Sequence, residues 1–238
     1  MKEPYRSNPP RPLIISGDHG EDQQVPPPDE GMDSVELART VARLGRWLEE
    51  HAPGDFRQLA PPAHPELIAA VTENRFELHQ DVRTWLALHD GSALDRAGVA
   101  GTFVPTDFPL LGAVGIRDGL RDMEEESARA VGDDEAAACV AGVRADARWL
   151  PVALNHTGGR LVVDHREGPA FGAVLELDPS IGLNGVKRWD SLSQLFDSVL
   201  DALVHGTPIA TASGSKAVPR IEDTRGLPPH VVWDIHHG

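Results

Sequence analysis

WLPVALNHTGGRLVVDHREGPAFGAVLELD, from Trp149 to Asp178, is the stretch on which the fold turns. Short runs rich in aliphatic residues, Trp149–Leu154, Arg160–Asp164 and Ala173–Asp178, are followed by a fourth at Val186–Trp189. Such runs, bounded by turn-forming residues, read as strands. Gly158-Gly159 and Asn184-Gly185 tolerate positive φ and mark turns between them. Connections this short or turn-rich leave no room for crossover helices, so an antiparallel meander is expected. Strands of this length need helices to cover their apolar faces. The predicted class is α+β: an antiparallel or mixed sheet packed against several helices, in a single domain with flexible tails.

Helical periodicity flanks the meander on both sides. Beyond it, Leu192, Leu195, Phe196, Val199 and Leu203 share one face of a predicted helix from Ser191 to His205. Before it, Ile116, Leu120 and Met123 stand at i, i+4 and i+7, which predicts a helix from Gly115 to Ala130. Leu37, Val41, Leu44 and Leu48 make a similar stripe over Asp33–Glu50, with Asp33 or Ser34 as cap. Between these lies LAPPAHPELIAAVTENRFELHQDVRTWLALHDGS, Leu59 to Ser92. Pro65 suits the first position of a helix with Leu67, Ile68 and Val71 as its buried face. A further helix is expected over about His79–His89, with Val82, Trp85, Leu86 and His89 on one side and Asp90-Gly91 as its stop. Gly91 to Gly112 reads as loop, with one short strand around Val99–Val104.

The two ends have a different texture. Residues 1–32 hold seven prolines, Pro4 to Pro28, among polar and charged residues, a mix that buries too little apolar surface to offset chain entropy. They are expected to form a disordered or extended arm, leaving 33–205 as the domain. Residues 206–238 read as a tail whose apolar end, Val231 to Ile235, docks on the domain or adds a strand.

Composition narrows the partners. The chain has 238 residues, of which 22 are basic and 37 acidic, for a net charge of -15. Such a chain repels phosphate backbones and anionic membranes, so the electrostatic complement is a basic protein and not nucleic acid. No segment reaches the roughly 20 apolar residues needed to span a bilayer, and the expected location is the cytoplasm. The single cysteine, Cys139, excludes an intramolecular disulfide and a thiolate zinc cluster. It reads as an inert small side chain.

Two readings compete at the acidic set Glu124, Glu125, Glu126, Asp133, Asp134 and Glu135. It is either a docking face for a basic partner or a solvated helix face. Aromatic residues favour binding hot spots. Trp47, Trp85 and Trp149 lie on apolar stripes or at a strand start and read as core; Trp189 and Trp233 are the candidates for partly exposed anchors, with packing the competing reading. His230, Asp234, His236 and His237 have metal-ligand residue types, and an enzyme built on them is the remotest alternative. The adjacent histidines of an extended segment point to opposite faces, so they do not both ligate one ion without a bend. No cofactor is expected. Gly112-Ala-Val-Gly115 lacks the third glycine of a dinucleotide fingerprint, and no Gly-x-Ser-x-Gly elbow sits between strand and helix.

The order and spacing of these words resemble the SUKH superfamily, which contains fungal cell-wall-synthesis regulators and many bacterial immunity proteins. Residues 35–205 carry the likeness, above all Leu59-Ala-Pro-Pro-Ala63, Leu88-His89-Asp90-Gly91, Trp149-Leu150-Pro151-Val152-Ala153, Gly159 to Asp164, Gly172-Ala-Val174 and Trp189. The family often has an acidic or Gly-rich pair after its Leu-Pro strand; here Asn155-His156-Thr157 stand there, and Ala173 replaces the polar residue common after the glycine of the third strand. Those positions would line any groove shared with the family, which adds Asn155 and His156 to the candidate partner-binding residues. The resemblance implies a non-enzymatic binding module, in bacteria an immunity protein that caps a toxin domain. Many such toxins are nucleases and basic, so an acidic cap is their complement. A regulatory or scaffold protein, recruiting partners through the Pro-rich arm, is the alternative.

Overall fold

A computed structural model of the protein describes residues 30–94, 101–132, 146–177 and 185–237. The meander is present: β1 (Trp149–Leu154), β2 (Arg160–Asp164), β3 (Val174–Leu177) and β4 (Val186–Trp189) pair antiparallel in sequence order. Trp149 opposes Asp164, Leu150 opposes Val163, and Val163 opposes Val174 on the next strand. The register shifts between Pro151 and Ala153, where an irregularity interrupts the β1–β2 ladder. Leu110 bridges Ala153 on the outer side of β1, and Leu111 donates its N–H to the Val152 carbonyl at 2.8 Å.

Both faces of this sheet are covered, which is why its strands read as nearly continuous apolar runs. Leu150, Val152, Leu161, Val163, Val174 and Trp189 belong to the main core, while Trp149, Val162, Leu175 and Leu177 form a second cluster with Met123. Met123 comes from α5 (Ala113–Gly132), whose buried stripe Ile116, Leu120 and Met123 is the one expected.

The main core is closed by α1 (Glu30–His51), α4 (Gln80–Leu88) and α6 (Leu192–His205). Leu37, Val41, Leu44 and Leu48 of α1 are at most 3% exposed. Trp85 of α4 packs on Phe196 of α6 at a tilt of 31°, with ring centroids 4.9 Å apart. Ser191 caps α6 by accepting from Gln194 N, and Gly206, at φ 68°, ends it in the left-handed region that glycine adopts without strain. Two short helices stand outside this frame. α2 (Pro53–Phe56) occupies what reads in sequence as a simple break, and α3 (Pro65–Ala70) has no fully buried residue. The expectation that Leu67 lies inward is corrected: it is 37% exposed, Ile68 is half-buried, and Val71 is buried just past the helix end. A six-residue helix spans too few turns to present three apolar residues to one neighbour. The strand expected around Val99–Val104 reduces, among the described residues, to a single bridge between Val104 and Phe108; Val99 lies outside them.

The C-terminal stretch contributes more than one added strand. β5 (Ile209–Ala210), β6 (Lys216–Glu222) and β7 (His230–His236) make a second antiparallel sheet in that order. Ala217, Val231 and Trp233 turn into the main core, and the opposite face carries Arg220 paired with Asp234 and Glu222. Asp55 of α2 fastens the sheet. Its carboxylate accepts from Val231 N and from Gly101 N, both at 2.7 Å, so one fully buried side chain holds α2, the 101–104 loop and β7 together. Burial holds its pKa above the ordinary 3.8, with the donated backbone hydrogen bonds acting against that rise.

Candidate binding cleft

A cleft of about 420 Å³ opens where the first turns of α4 and α6 face α1 and the Gly168–Gly172 turn. Local sequence builds it. His79 caps α4, its Nδ1 accepting from Asp81 N at 3.2 Å, which leaves the imidazole proton on Nε2. The His79 backbone N–H in turn donates to His165 Nε2 at 3.0 Å, so the His165 proton sits on Nδ1, directed at the Val163 carbonyl at 3.0 Å. Burial lowers the His165 pKa from 6.5 to about 4, and the ring is neutral near pH 7.

Aromatic rings continue this arrangement from interior to surface. Phe76 lies 4.8 Å from His165, and Phe171 lies 5.1 Å from His79. Gly172, at φ 83°, makes the second contact: a Cβ there would stand 2.4 Å from His79 Nε2. The result is an aromatic side chain, Phe171, left 47% exposed at the rim of the cleft.

The walls are acidic. Among the described residues, Glu36, Glu77, Asp81, Asp190 and Asp197 line the cleft against one arginine, Arg83. Asp81 is buried and accepts from Ser193 N at 3.0 Å, joining the two helix starts. Asp197 accepts from the Thr40 hydroxyl at 2.6 Å, and Asp190 pairs with Lys187 at 2.5 Å. Arg83 donates to the Leu78 carbonyl at 3.2 Å and lies 3.6 Å from Glu77. This set offers carboxylate oxygens and an aromatic face to a cationic group. Among the described residues there is no cluster of three or more His, Cys, Asp or Glu side chains able to hold a metal ion.

The residues singled out from sequence lie elsewhere. Glu124 is half-buried in an ion pair with Arg75, which also pairs with Glu73, itself paired with Arg121; Glu125 is exposed. Hydrogen bonding from Arg121 holds the Glu73 carboxyl below its usual value. The Glu126 side chain, Asp133, Asp134, Glu135 and Cys139 lie outside the described residues. Asn155 closes the β1–β2 turn by accepting from Thr157 N and Gly159 N, with His156 exposed beside it. Trp189 and Trp233 are corrected as to exposure: they are 7% and 6% exposed, and both pack into the main core. The Arg188 guanidinium lies 5.0 Å from the Trp189 ring centroid.

The C-terminal histidines do not converge on one point, although His230, Asp234 and His236 share one face of β7. His230 is buried and bonds the Pro228 carbonyl, Asp234 is engaged by Arg220, His236 is exposed, and His237 reaches Ser215 Oγ at 2.9 Å. Sequence reasoning missed the cleft because its members come from four separated segments with no fixed spacing. The one local signal was Phe171, a lone aromatic inside Gly168-Pro-Ala-Phe-Gly172, a turn with no apolar neighbour large enough to bury it.

No protein-family model matches the chain, and no curated protein matches it. Among the described residues, no helix is long and apolar enough to cross a membrane.

Proposed function

We propose that this protein is a non-enzymatic binding module of the SUKH type, an acidic cytoplasmic immunity protein that neutralises a toxin by capping its basic active face. The observation that carries this reading is the cleft itself, five carboxylates against one arginine with Phe171 exposed at the rim. The net charge of -15 acts in the same direction, because long-range attraction raises the on-rate toward a basic partner and repels acidic competitors. Aromatic side chains flanked by charge are favoured anchors in such interfaces.

Co-expression with basic toxin domains encoded beside it tests the reading. Protection of the cells, together with a purified complex whose association rate falls steeply between low and high salt, is the expected result. Failure to protect against every neighbouring toxin domain would overturn it.

A further inference from the structure

The cleft does not end at α4. A second hollow, of about 480 Å³, runs between α3 and α4 and shares Glu77, Leu78 and Arg83 with the first. Its other walls are mainly apolar, with Pro65, Ile68, Ala69 and Ala87 among them. On this side α3, the helix PELIAA, has no fully buried residue: Ile68 is half-buried against the main core and Ala69 is exposed. An apolar hollow of this size, opening into an acidic one across a shared wall, has the character of a recognition groove.

We propose that the two hollows form one docking groove for a cationic amphipathic segment of the protein partner. An apolar side chain of that segment sits between α3 and α4, and its arginine or lysine neighbours lie by Glu36 and Glu77 beside Phe171. The proposal rests on the reading of the chain as a binder of a basic partner, and it specifies the chemistry of the element bound. Charge complementarity selects this occupant. A second copy of the chain would bring another -15 of charge to an already acidic face. A purely polar basic segment would leave the α3 side empty. An amphipathic helix presents apolar and basic residues on adjacent faces, which is what the two halves of the groove require.

The test titrates the ¹⁵N-labelled full-length protein with two synthetic peptides of about 14 residues, four helical turns. One carries a leucine face and a Lys/Arg face; the other keeps the basic residues and has glutamine in place of leucine. The amphipathic peptide is expected to bind about tenfold more tightly or better, shifting the amide signals of Ile68, Ala69, Glu77, Asp81 and Ala87. Ala87→Glu adds negative charge and fills the apolar half, so it should abolish that advantage without weakening the glutamine peptide. Ala69→Glu, at a second exposed position, serves the same purpose if the first variant does not fold by circular dichroism. Equal affinity for the two peptides, or undiminished binding of the amphipathic one by these variants, would refute the groove. Shifts centred on the outer face of α5 would refute it equally. Toxin protection lost while the peptide still binds removes the antidote reading and leaves the groove standing; protection untouched by Ala87→Glu removes the groove and leaves the antidote.

Discussion

The two sheets of this protein are both antiparallel, yet they are held by different means. β1 to β4 are covered on both faces, by the helical core on one side and the Met123 cluster on the other. β5 to β7 bury mainly one face, through Ala217, Val231 and Trp233, and are tied to α2 by the buried Asp55 carboxylate and by the Gly54 N–H on the Pro229 carbonyl. The first sheet is stabilised mainly by apolar area removed from water; in the second, a hydrogen-bonded buried charge supplements a much smaller apolar face.

The largest expected contrast is in truncation of apolar side chains. Leu150→Ala in β1 should cost about 3 kcal/mol, because a fully buried leucine leaves a cavity. Ile221→Ala in β6, where the side chain is 39% exposed, should cost less than about 1 kcal/mol. Urea unfolding monitored by tryptophan fluorescence measures both; equal costs would erase the distinction between the sheets.

Acid should separate the regions as well. His165, beside the first sheet, has a folded pKa of about 4 against 6.5 unfolded. Its contribution is therefore present above pH 6.5 and is lost as pH falls through 4, a total on the order of 3 kcal/mol. Asp55 has the opposite sign. Its folded pKa is raised, so its contribution is present below pH 3.8 and is lost as pH rises through the folded value. A His165→Gln variant should flatten the fall in stability between pH 6.5 and 4, and an unchanged slope would assign that fall to other groups.

Asp55→Ala should cost about 2 kcal/mol. Two buried N–H groups, of Gly101 and Val231, lose their acceptor, while relief of the buried charge offsets part of the loss. Hydrogen exchange at Val231 and its strand neighbours should quicken more than exchange in β2; uniform acceleration would mean that the two sheets open as one unit. The smallest effect belongs to Arg220→Ala on the open face of the second sheet. Its pairs with Asp234 and Glu222 are about half exposed, and the urea midpoint should not move measurably.

The same contrast explains what was legible in the sequence. Strands covered on both faces are written as apolar runs, and the spans expected for β1, β2 and β4 coincide with those found, while β3 begins one residue later, at Val174, and Asp178 lies outside the described residues. The stripes of α1, α5 and α6 are equally plain, because each buries one face against the core. β6 was hidden: KAVPRIE holds a proline and three charged residues, and its apolar side chains divide between the two faces. Asp55 gave no local sign of its role, since its partners are 46 and 176 residues away. The cleft was hidden for a related reason. His79 and Asp81 read only as the start of a helix, and nothing in their spacing announces Phe171 or Asp190.

The clasp at Asp55 also sets an order of events during synthesis. The carboxylate emerges early, but the strand whose N–H it receives is translated 176 residues later. Until β7 is free of the ribosome, Gly54 N–H in α2 lacks the Pro229 carbonyl and Asp55 lacks the Val231 N–H. A nascent chain interrupted before β7 would thus keep an open seam beside α2.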